Sequence, residues 1–84
     1  MATINILLFA TAREVVGKSS VRRSVPSRGL SLAELLEWLR TEYPRLGPIL
    51  KISRYVQNGA YVTQTHVRIR PGDEIAIHPP YSGG

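Results

Sequence analysis

The sequence has no cysteine, no long apolar run and few acidic residues. Without cysteine the chain has no disulfide, no thiolate metal ligand and no cysteine nucleophile. Because a small secreted domain usually needs disulfides, the absence of cysteine also argues against secretion. Its longest apolar runs, such as residues 6–10, are far shorter than the roughly 20 residues of a membrane-spanning helix. The N-terminus lacks the charged, apolar and small-residue succession of a secretory signal. We therefore expect a cytoplasmic protein with no membrane partner.

Because acidic residues are few, the chain has a net positive charge. Eleven Lys and Arg stand against six Asp and Glu, which gives a net charge of +5. Such a balance suits nucleic acid, an anionic surface or an acidic protein partner. However, no more than two arginines are adjacent, and the aromatic residues do not alternate with them as in an RNA-binding platform. We interpret the charge as solvated surface and expect no nucleic-acid partner, with a small basic nucleic-acid-binding domain as an alternative.

The 84 residues suffice for one domain, and its first part reads as two strands. Residues 2–9 have an apolar face at positions 4, 6 and 8, and Leu7 and Phe9 make the other face apolar too. A strand that is apolar on both faces favours the middle of a sheet covered on both sides. Residues 11–17 predict an irregular or one-turn helical connection, and residues 19–25 predict an edge strand.

A capping box marks the start of the one clear helix. Ser31 and Glu34 have the spacing at which each side chain can bind the other residue's backbone N–H group. Apolar residues then recur at helical spacing, and Pro44 ends the helix. These apolar residues are Leu32, Leu35, Leu36, Leu39 and Tyr43. Residues 46–50 predict a loop or a short helical turn packed on the core.

Turn signatures divide the last third of the chain into short strands. Asn58-Gly59 predicts a tight type I′ hairpin between residues 54–57 and residues 60–62. A short strand around residues 67–69 ends at a Pro-Gly turn, and a final strand follows through residues 75–77.

This order of elements predicts an α+β fold of the β-grasp, ubiquitin-like type. We expect a mixed sheet of four to five strands packed on one main helix, with the first and last strands parallel at the centre of the sheet. Residues 1–78 form the predicted domain, and residues 79–84 form an extended C-terminal tail.

Few residues are candidates for catalysis. The two histidines have no companion at metal-ligand spacing, so we predict no metal site. Asp73 and Glu74 are adjacent, and neighbours on a strand point to opposite faces, so they fit a turn better than an acid–base pair. Ser82 has no base beside it, and no glycine-rich phosphate loop occurs. The remaining reactive group is the carboxylate of Gly84, which is inert until another protein activates it.

The last six residues are suited to entering a partner. Their two prolines favour extended polyproline geometry, so at roughly 3.1 Å per residue the segment reaches about 19 Å. The two terminal glycines have no Cβ, so a narrow channel can close around them. The predicted partner-binding residues of the tail are Pro79, Pro80, Tyr81, Ser82 and Gly83, and Gly84 carries the reactive group.

Three stretches together carry a family resemblance. Residues 8–17, LFATAREVVG, match the pattern FA-x-x-R-E-x-x-G, and residues 71–76, PGDEIA, match x-G-D-E-V-A. Residues 79–84, PPYSGG, match P-P-V-S-G-G. In this order and over the whole chain they resemble the small subunit of molybdopterin synthase, a ubiquitin-like sulfur carrier. Sulfur carriers of the thiamine pathway share the fold and the Gly-Gly end, but lack the Arg-Glu segment and the double proline.

The resemblance implies a cycle on Gly84. An adenylating enzyme of the ubiquitin-activating type uses ATP and magnesium to make an acyl-adenylate, and a sulfur donor replaces AMP to leave a thiocarboxylate. In a complex of two small and two large subunits, the large subunit then directs the sulfur to cyclic pyranopterin monophosphate, which builds the molybdopterin dithiolene. The chain itself is implied to bind no cofactor and to be non-catalytic alone. The alternative is a carrier for thiamine thiazole synthesis or for another sulfur-transfer or conjugation pathway.

Two features depart from that family. His78 stands where its members often have an aromatic or aliphatic residue, so we expect a more polar or pH-sensitive interface. The net charge of +5 is unusual in a family with neutral or acidic members. It predicts an acidic face on the large subunit, with Arg13, Arg68 and Arg70 as the residues that meet it.

Overall fold

The computed structural model of the protein describes residues 2–80. Its elements are β1 Thr3–Leu8, α1 Ala10–Val16, β2 Ser20–Ser24, β3 Leu30–Ser31, α2 Leu32–Glu42, a 3-10 turn Pro44–Leu46, α3 Gly47–Lys51, β4 Arg54–Gln57, β5 Ala60–Val62, β6 Arg68–Ile69 and β7 Glu74–His78. The predicted order of two strands, a helix and short strands is confirmed, and β3 is an additional short strand.

Five strands form the main sheet in the order β2-β1-β7-β4-β5, and β3 pairs with β6 separately. β1 and β7 are parallel, whereas the other neighbours in the main sheet are antiparallel. The first and last strands therefore lie side by side, as predicted, with β7 in the middle. This is the β-grasp, ubiquitin-like fold.

The capping box at the start of α2 is formed as predicted. Ser31 Oγ accepts from the backbone N–H of Glu34 at 3.1 Å, and the Ser31 N–H donates to Glu34 Oε1 at 2.9 Å. The pair satisfies two of the backbone donors that a helix start leaves without partners. The hydrogen bond from the Ser31 backbone, and to a smaller extent the bond with the Ser31 side chain, holds the pKa of the Glu34 carboxyl below its usual value.

The core lies between α2 and one face of the sheet. From β1 it takes the alternate residues Ile4, Ile6 and Leu8, which are almost fully buried. From α2 it takes Leu32, Leu35, Leu36 and Leu39. Period-two burial on a strand and helical spacing on α2 thus meet in one cluster, which is the physical reason that this sequence adopts this pairing.

The connection after β1 is more regular than predicted. α1 covers seven residues, Ala10–Val16, instead of one irregular turn. Its buried Ala12 packs in the core, and this contact stabilises a helix too short to persist alone. Gly17 ends α1 as predicted, because its φ of 82° is in the left-handed region and its N–H donates to the Arg13 carbonyl at 2.7 Å.

The second face of the sheet is open within residues 2–80. Leu7 is only half-buried and Phe9 is exposed, although both lie on or beside a central strand. The expectation that both faces are covered is therefore wrong for the described part of the chain. The helices pack together on one side of the sheet, and we call the opposite side the outer face.

A hydrogen-bond network around Asp73 joins the turn before β7 to the β4–β5 hairpin. Its carboxylate accepts from the Arg70 backbone N–H at 2.8 Å, from Gln57 Nε2 at 3.1 Å and from Asn58 Nδ2 at 3.0 Å. Asn58 Oδ1 accepts in turn from the Glu74 N–H at 2.9 Å. Asp73 thus has the turn role that the sequence predicts.

Asp73 should make the fold sensitive to acid. Partial burial raises the pKa of its carboxyl, but the hydrogen bonds outweigh burial and hold this pKa below the usual 3.8. Such a group stabilises the fold above its unfolded pKa, and this contribution is lost as the pH falls through the folded pKa. When the pH is lowered from about 5 to about 2, we expect the unfolding free energy of Asp73→Asn to fall by less than that of wild type. Urea titrations at both pH values measure the two changes. Equal losses in the two proteins would contradict this role of Asp73.

Candidate functional site

The predicted tail leaves the fold from the end of the middle strand. β7 pairs with β1 on one side and β4 on the other, and its last residue is His78. Pro79 is buried and Pro80 is exposed, so contact with the fold extends one residue into the predicted tail. We call this place the tail root. The predictions for Tyr81, Ser82, Gly83 and Gly84 lie outside the described residues.

An aromatic pair flanks the tail root. The rings of Phe9 and His78 stack with their centroids 4.3 Å apart and an angle of 9° between their planes. The Phe9 N–H donates to the Ile77 carbonyl at 3.3 Å, which extends the β1–β7 pairing by one residue. Ala10 then turns the chain sharply with a φ of 52°, and Phe9 remains 39% exposed. The pair is therefore available to a partner at the base of the tail.

A depression that contains a basic side chain lies beside this pair. Its volume is about 270 Å³, and its lining consists of Ile52, Arg54, His78, Pro79 and Pro80. Arg54 lies directly opposite His78 in the β4–β7 pairing. Ile52 is 63% exposed. The depression thus joins apolar and basic side chains, with no acidic residue among the lining residues that the structure describes.

An apolar row crosses the outer face next to the tail root. The strand register places Leu7 beside Ala76, Ala76 beside Val56, and Val56 beside Tyr61. These residues come from four neighbouring strands, and Tyr61 is 69% exposed. We call them the outer-face row. Leu7 and Val56 are half-buried and Ala76 is buried, so the row is a contiguous apolar strip that ends in the exposed Tyr61, and such a strip is a candidate protein-binding site.

The described residues offer little for catalysis. Within residues 2–80 no cluster of His, Asp and Glu is placed to hold a metal ion. No helix in this part of the chain is long and apolar enough to cross a membrane. A larger cavity of about 390 Å³ lies between β5 and the start of α2, and its lining includes no carboxylate and no imidazole.

Comparison with known proteins indicates which kind of protein presents this surface. The model of the ThiS family matches residues 6–84. The chain belongs to the ThiS family. The molybdopterin synthase sulfur carrier subunit of Dictyostelium discoideum is 38% identical over 80 residues, which are 94% of this chain and 93% of that protein. The resemblance drawn from three sequence motifs is confirmed.

Solved structures share the fold of this ThiS-family chain. The crystal structure of SAMP1 from Haloferax volcanii has a TM-score of 0.81 and 27% identity, covering 98% of this chain and 99% of that chain. A chain in the complex of subunits 1 and 2 of the molybdopterin-converting factor from Helicobacter pylori has a TM-score of 0.71. That match covers 98% of this chain and 99% of the other at 20% identity, and it shows the fold alone.

The structure does not bring together the three arginines that the sequence singles out. Arg13 is exposed on α1, which follows Phe9 at the tail-root end of the sheet. Arg68 and Arg70 are also exposed. They lie near the start of β7, since the Arg70 carbonyl accepts a hydrogen bond from the N–H of Asp73, the residue before β7. This is the opposite end of β7 from the tail root.

The sequence pattern of this ThiS-family chain misses two residues at the tail root. Arg54 reads simply as the first residue of a hairpin strand, yet the register sets it beside His78. Ile52 reads as part of a connection, yet it lines the same depression. The Asn58-Gly59 turn fixes only which residues of β4 and β5 are paired, whereas Arg54 meets His78 through the pairing of β4 with β7, for which the sequence has no short-range signal.

Proposed function

We propose that this chain is the sulfur carrier subunit of a molybdopterin synthase and that the carboxylate of Gly84 is its working group. The observation that carries the proposal is the nearly full-length match to sulfur carrier subunits of that enzyme. The fold supports it, since residues 2–80 hold the start of the tail at the end of β7, the middle strand of the sheet. The chain itself binds no cofactor in this scheme, and it acts in the cytoplasm.

Activation of Gly84 begins on an adenylating enzyme of the ubiquitin-activating type, which uses ATP and magnesium. A carboxylate oxygen attacks the α-phosphate and pyrophosphate leaves, which forms the acyl-adenylate. The sulfur of a donor then attacks the acyl carbon and AMP leaves, so that Gly84 carries a thiocarboxylate. Because an acyl-adenylate must be shielded from water, a tail that ends in two glycines is suited to a closed site.

Transfer takes place on the large subunit of the synthase, in a complex of two small and two large subunits. The thiocarboxylate sulfur forms a bond to cyclic pyranopterin monophosphate, water then cleaves the bond between this sulfur and the acyl carbon of Gly84, and Gly84 returns to a carboxylate that can be activated again. Two such deliveries supply the two sulfurs of the dithiolene. The basic and phosphate-binding groups for this step belong to the large subunit.

The outer-face row and the Phe9–His78 pair form the proposed docking surface for the large subunit. Both adjoin the tail root, because β7 supplies Ala76 to the row and His78 to the pair. Burial of an apolar patch around the start of the tail aligns the tail with the partner's site and removes water from the contact. The same strand therefore carries the docking surface and the reactive terminus.

Intact-mass measurement tests the proposed function. The chain is incubated with the activating enzyme of its own pathway, ATP, magnesium and a sulfur donor, and omission of ATP serves as the control. We expect a mass gain of about 16 Da, because one sulfur replaces one oxygen. An unchanged mass with every component present would exclude the sulfur carrier.

Arg54 is expected to strengthen docking if the large subunit presents an acidic face. Arg54→Glu should weaken the complex about tenfold, because it places a like charge against that face at the tail root. Isothermal titration at low and high salt measures the loss, which should shrink as salt screens the charges. Arg45→Glu is the matched control, because Arg45 is exposed on the 3-10 turn on the helical side of the sheet. Equal losses from both variants would show that total charge decides affinity.

A second candidate is a ubiquitin-like protein modifier. The likeness to small archaeal modifier protein 1 favours it, since that protein shares the fold at comparable chain length. In that case the activated carboxylate of Gly84 forms an amide with a lysine amine, and no sulfur is gained. Conjugates larger than the chain, with no thiocarboxylate form, would support the modifier. A thiazole-synthesis carrier would gain sulfur too, and it differs in which large partner co-purifies.

A further inference from the structure

Some main-chain N–H and C=O groups of the edge strand β2 form no hydrogen bond with β1. β2 lies at one edge of the five-stranded sheet and pairs with β1 alone. Just outside the strand, the Leu8 N–H donates to the Ser19 carbonyl at 2.9 Å, and the Val25 N–H donates to the Ala2 carbonyl at 3.1 Å. In both pairs the two residues lie directly opposite each other. Residues 19 and 25 thus point their main-chain groups towards β1.

The alternation of hydrogen bonds along an antiparallel strand pair shows in which direction the main-chain groups of residues 20–24 point. Hydrogen-bonded and non-hydrogen-bonded pairs alternate, so Val21 and Arg23 also face β1. Ser20, Arg22 and Ser24 point their N–H and C=O groups away from the sheet. No backbone bond among residues 2–80 reaches these outward groups, and Arg22 and Ser24 are exposed. The register runs without a bulge from Ser20 to Ser24, so this edge is open and regular.

The edge strand and the residues that flank it in the sequence are basic. Residues 15–33 include Lys18, Arg22, Arg23 and Arg28 but no Asp or Glu. Arg23 lies on the helical side, where its guanidinium carbon is 5.2 Å from the centre of the Trp38 ring. Pairing with a second copy would set these cations against each other, which is a common protection of edge strands. The same charges favour an acidic chain.

We propose that β2 is a docking edge for an extended acidic segment of a partner protein, which joins the sheet as an additional strand. Strand addition takes its affinity from main-chain hydrogen bonds and its selectivity from alternate side chains. On the outer face these side chains meet Arg22, which selects acidic residues. On the helical side they meet Trp38 and the stem of Arg23, which select aliphatic residues. The partner segment therefore alternates acidic and aliphatic residues.

This edge is separate from the proposed sulfur carrier function. The large subunit is proposed to cover the outer face around the tail root, whereas an added strand lies in the plane of the sheet beside β2. It uses no residue of the tail. Loss of thiocarboxylate formation and loss of edge binding are consequently independent results.

Amide hydrogen exchange with a defined peptide tests the edge. The probe is the capped heptapeptide Glu-Val-Glu-Val-Glu-Val-Glu, and the control peptide has Lys in place of Glu. With the probe we expect exchange at Ser20, Arg22 and Ser24 to slow at least about tenfold, since their N–H groups become hydrogen-bonded. Val21 and Arg23, already paired with β1, should change little. Equal protection by the lysine peptide, or protection elsewhere on the chain, would overturn the proposal.

A proline variant removes one outward donor and retains every charge. Ser24→Pro is compatible with an edge strand whose N–H faces solvent, and it should weaken probe binding about tenfold in an NMR titration. Ser24→Ala keeps the donor and should bind like wild type. Equal binding by the two variants would reject strand addition, and if Ser24→Pro fails to fold, the exchange pattern of the wild type decides. Concentration-dependent dimerisation through β2 would also reject it, in favour of a second copy.

Discussion

Deletion of Gly84 is expected to lower thiocarboxylate formation at least about a hundredfold, because a misplacement of about 1 Å at a reacting group can already cost that much. The shortened chain still ends in a glycine carboxylate, but that carboxylate lies roughly 3 Å short of the position that the activating site receives. The unfolding free energy should stay within about 0.5 kcal/mol of wild type, since the deletion leaves the packed core untouched. Intact mass and urea unfolding measure the two quantities.

The control for this deletion keeps the tail at its full length. Arg45→Ala changes an exposed side chain of the 3-10 turn and leaves the whole tail intact, so it should gain the same mass of about 16 Da at nearly the wild-type rate. Wild-type sulfur gain by the shortened chain would contradict the assignment of Gly84. An equal loss of sulfur gain with Arg45→Ala would show that the loss does not depend on Gly84.

Replacement of Leu36 by alanine is expected to have the opposite effect. Leu36 is buried on α2 in the core cluster, so Leu36→Ala should lower the unfolding free energy by about 2–5 kcal/mol. The cost comes from the lost transfer free energy of the side chain and from the cavity that it leaves. At temperatures where the variant remains folded, its Gly84 should still be converted to the thiocarboxylate.

Glu42→Ala is the matched control on the same helix. Glu42 is exposed at the last position of α2, where a negative charge interacts unfavourably with the helix dipole. Its loss should therefore change the unfolding free energy by no more than about 0.5 kcal/mol. Urea titrations of the three proteins compare these values, and equal losses in the two variants would show that Leu36 does not fill the core.

Local chemistry explains why so much of the fold could be predicted. The capping box of Ser31 and Glu34 involves residues three positions apart, and it forms as its spacing predicts. The hairpin depends on the Asn58-Gly59 pair, whose φ values of 49° and 87° suit the predicted turn. Each feature needs only a few consecutive residues, so its pattern is complete in a short stretch.

Predictions that depend on distant contacts were less accurate. The prediction that both faces of β1 are covered was wrong within residues 2–80. An apolar pattern does not distinguish a face that is buried inside the fold from an apolar face that binds a partner. α1 was predicted too short, because its helix depends on the burial of Ala12 against the core. The predicted roles of Arg13, Arg68 and Arg70 stay predictions, and the fold sets the last two far from the tail root.

The kinds of element, their order, the turns and the candidate reactive terminus follow from this sequence alone, because short-range patterns of apolar, capping and turn residues specify them. The tertiary structure alone decides that Phe9 stacks on His78, that Arg54 lies beside them, and that β2 has an open edge. These relations join residues up to 69 positions apart, as between Phe9 and His78. They depend on strand order and register, which arise only when the whole sheet assembles around its core.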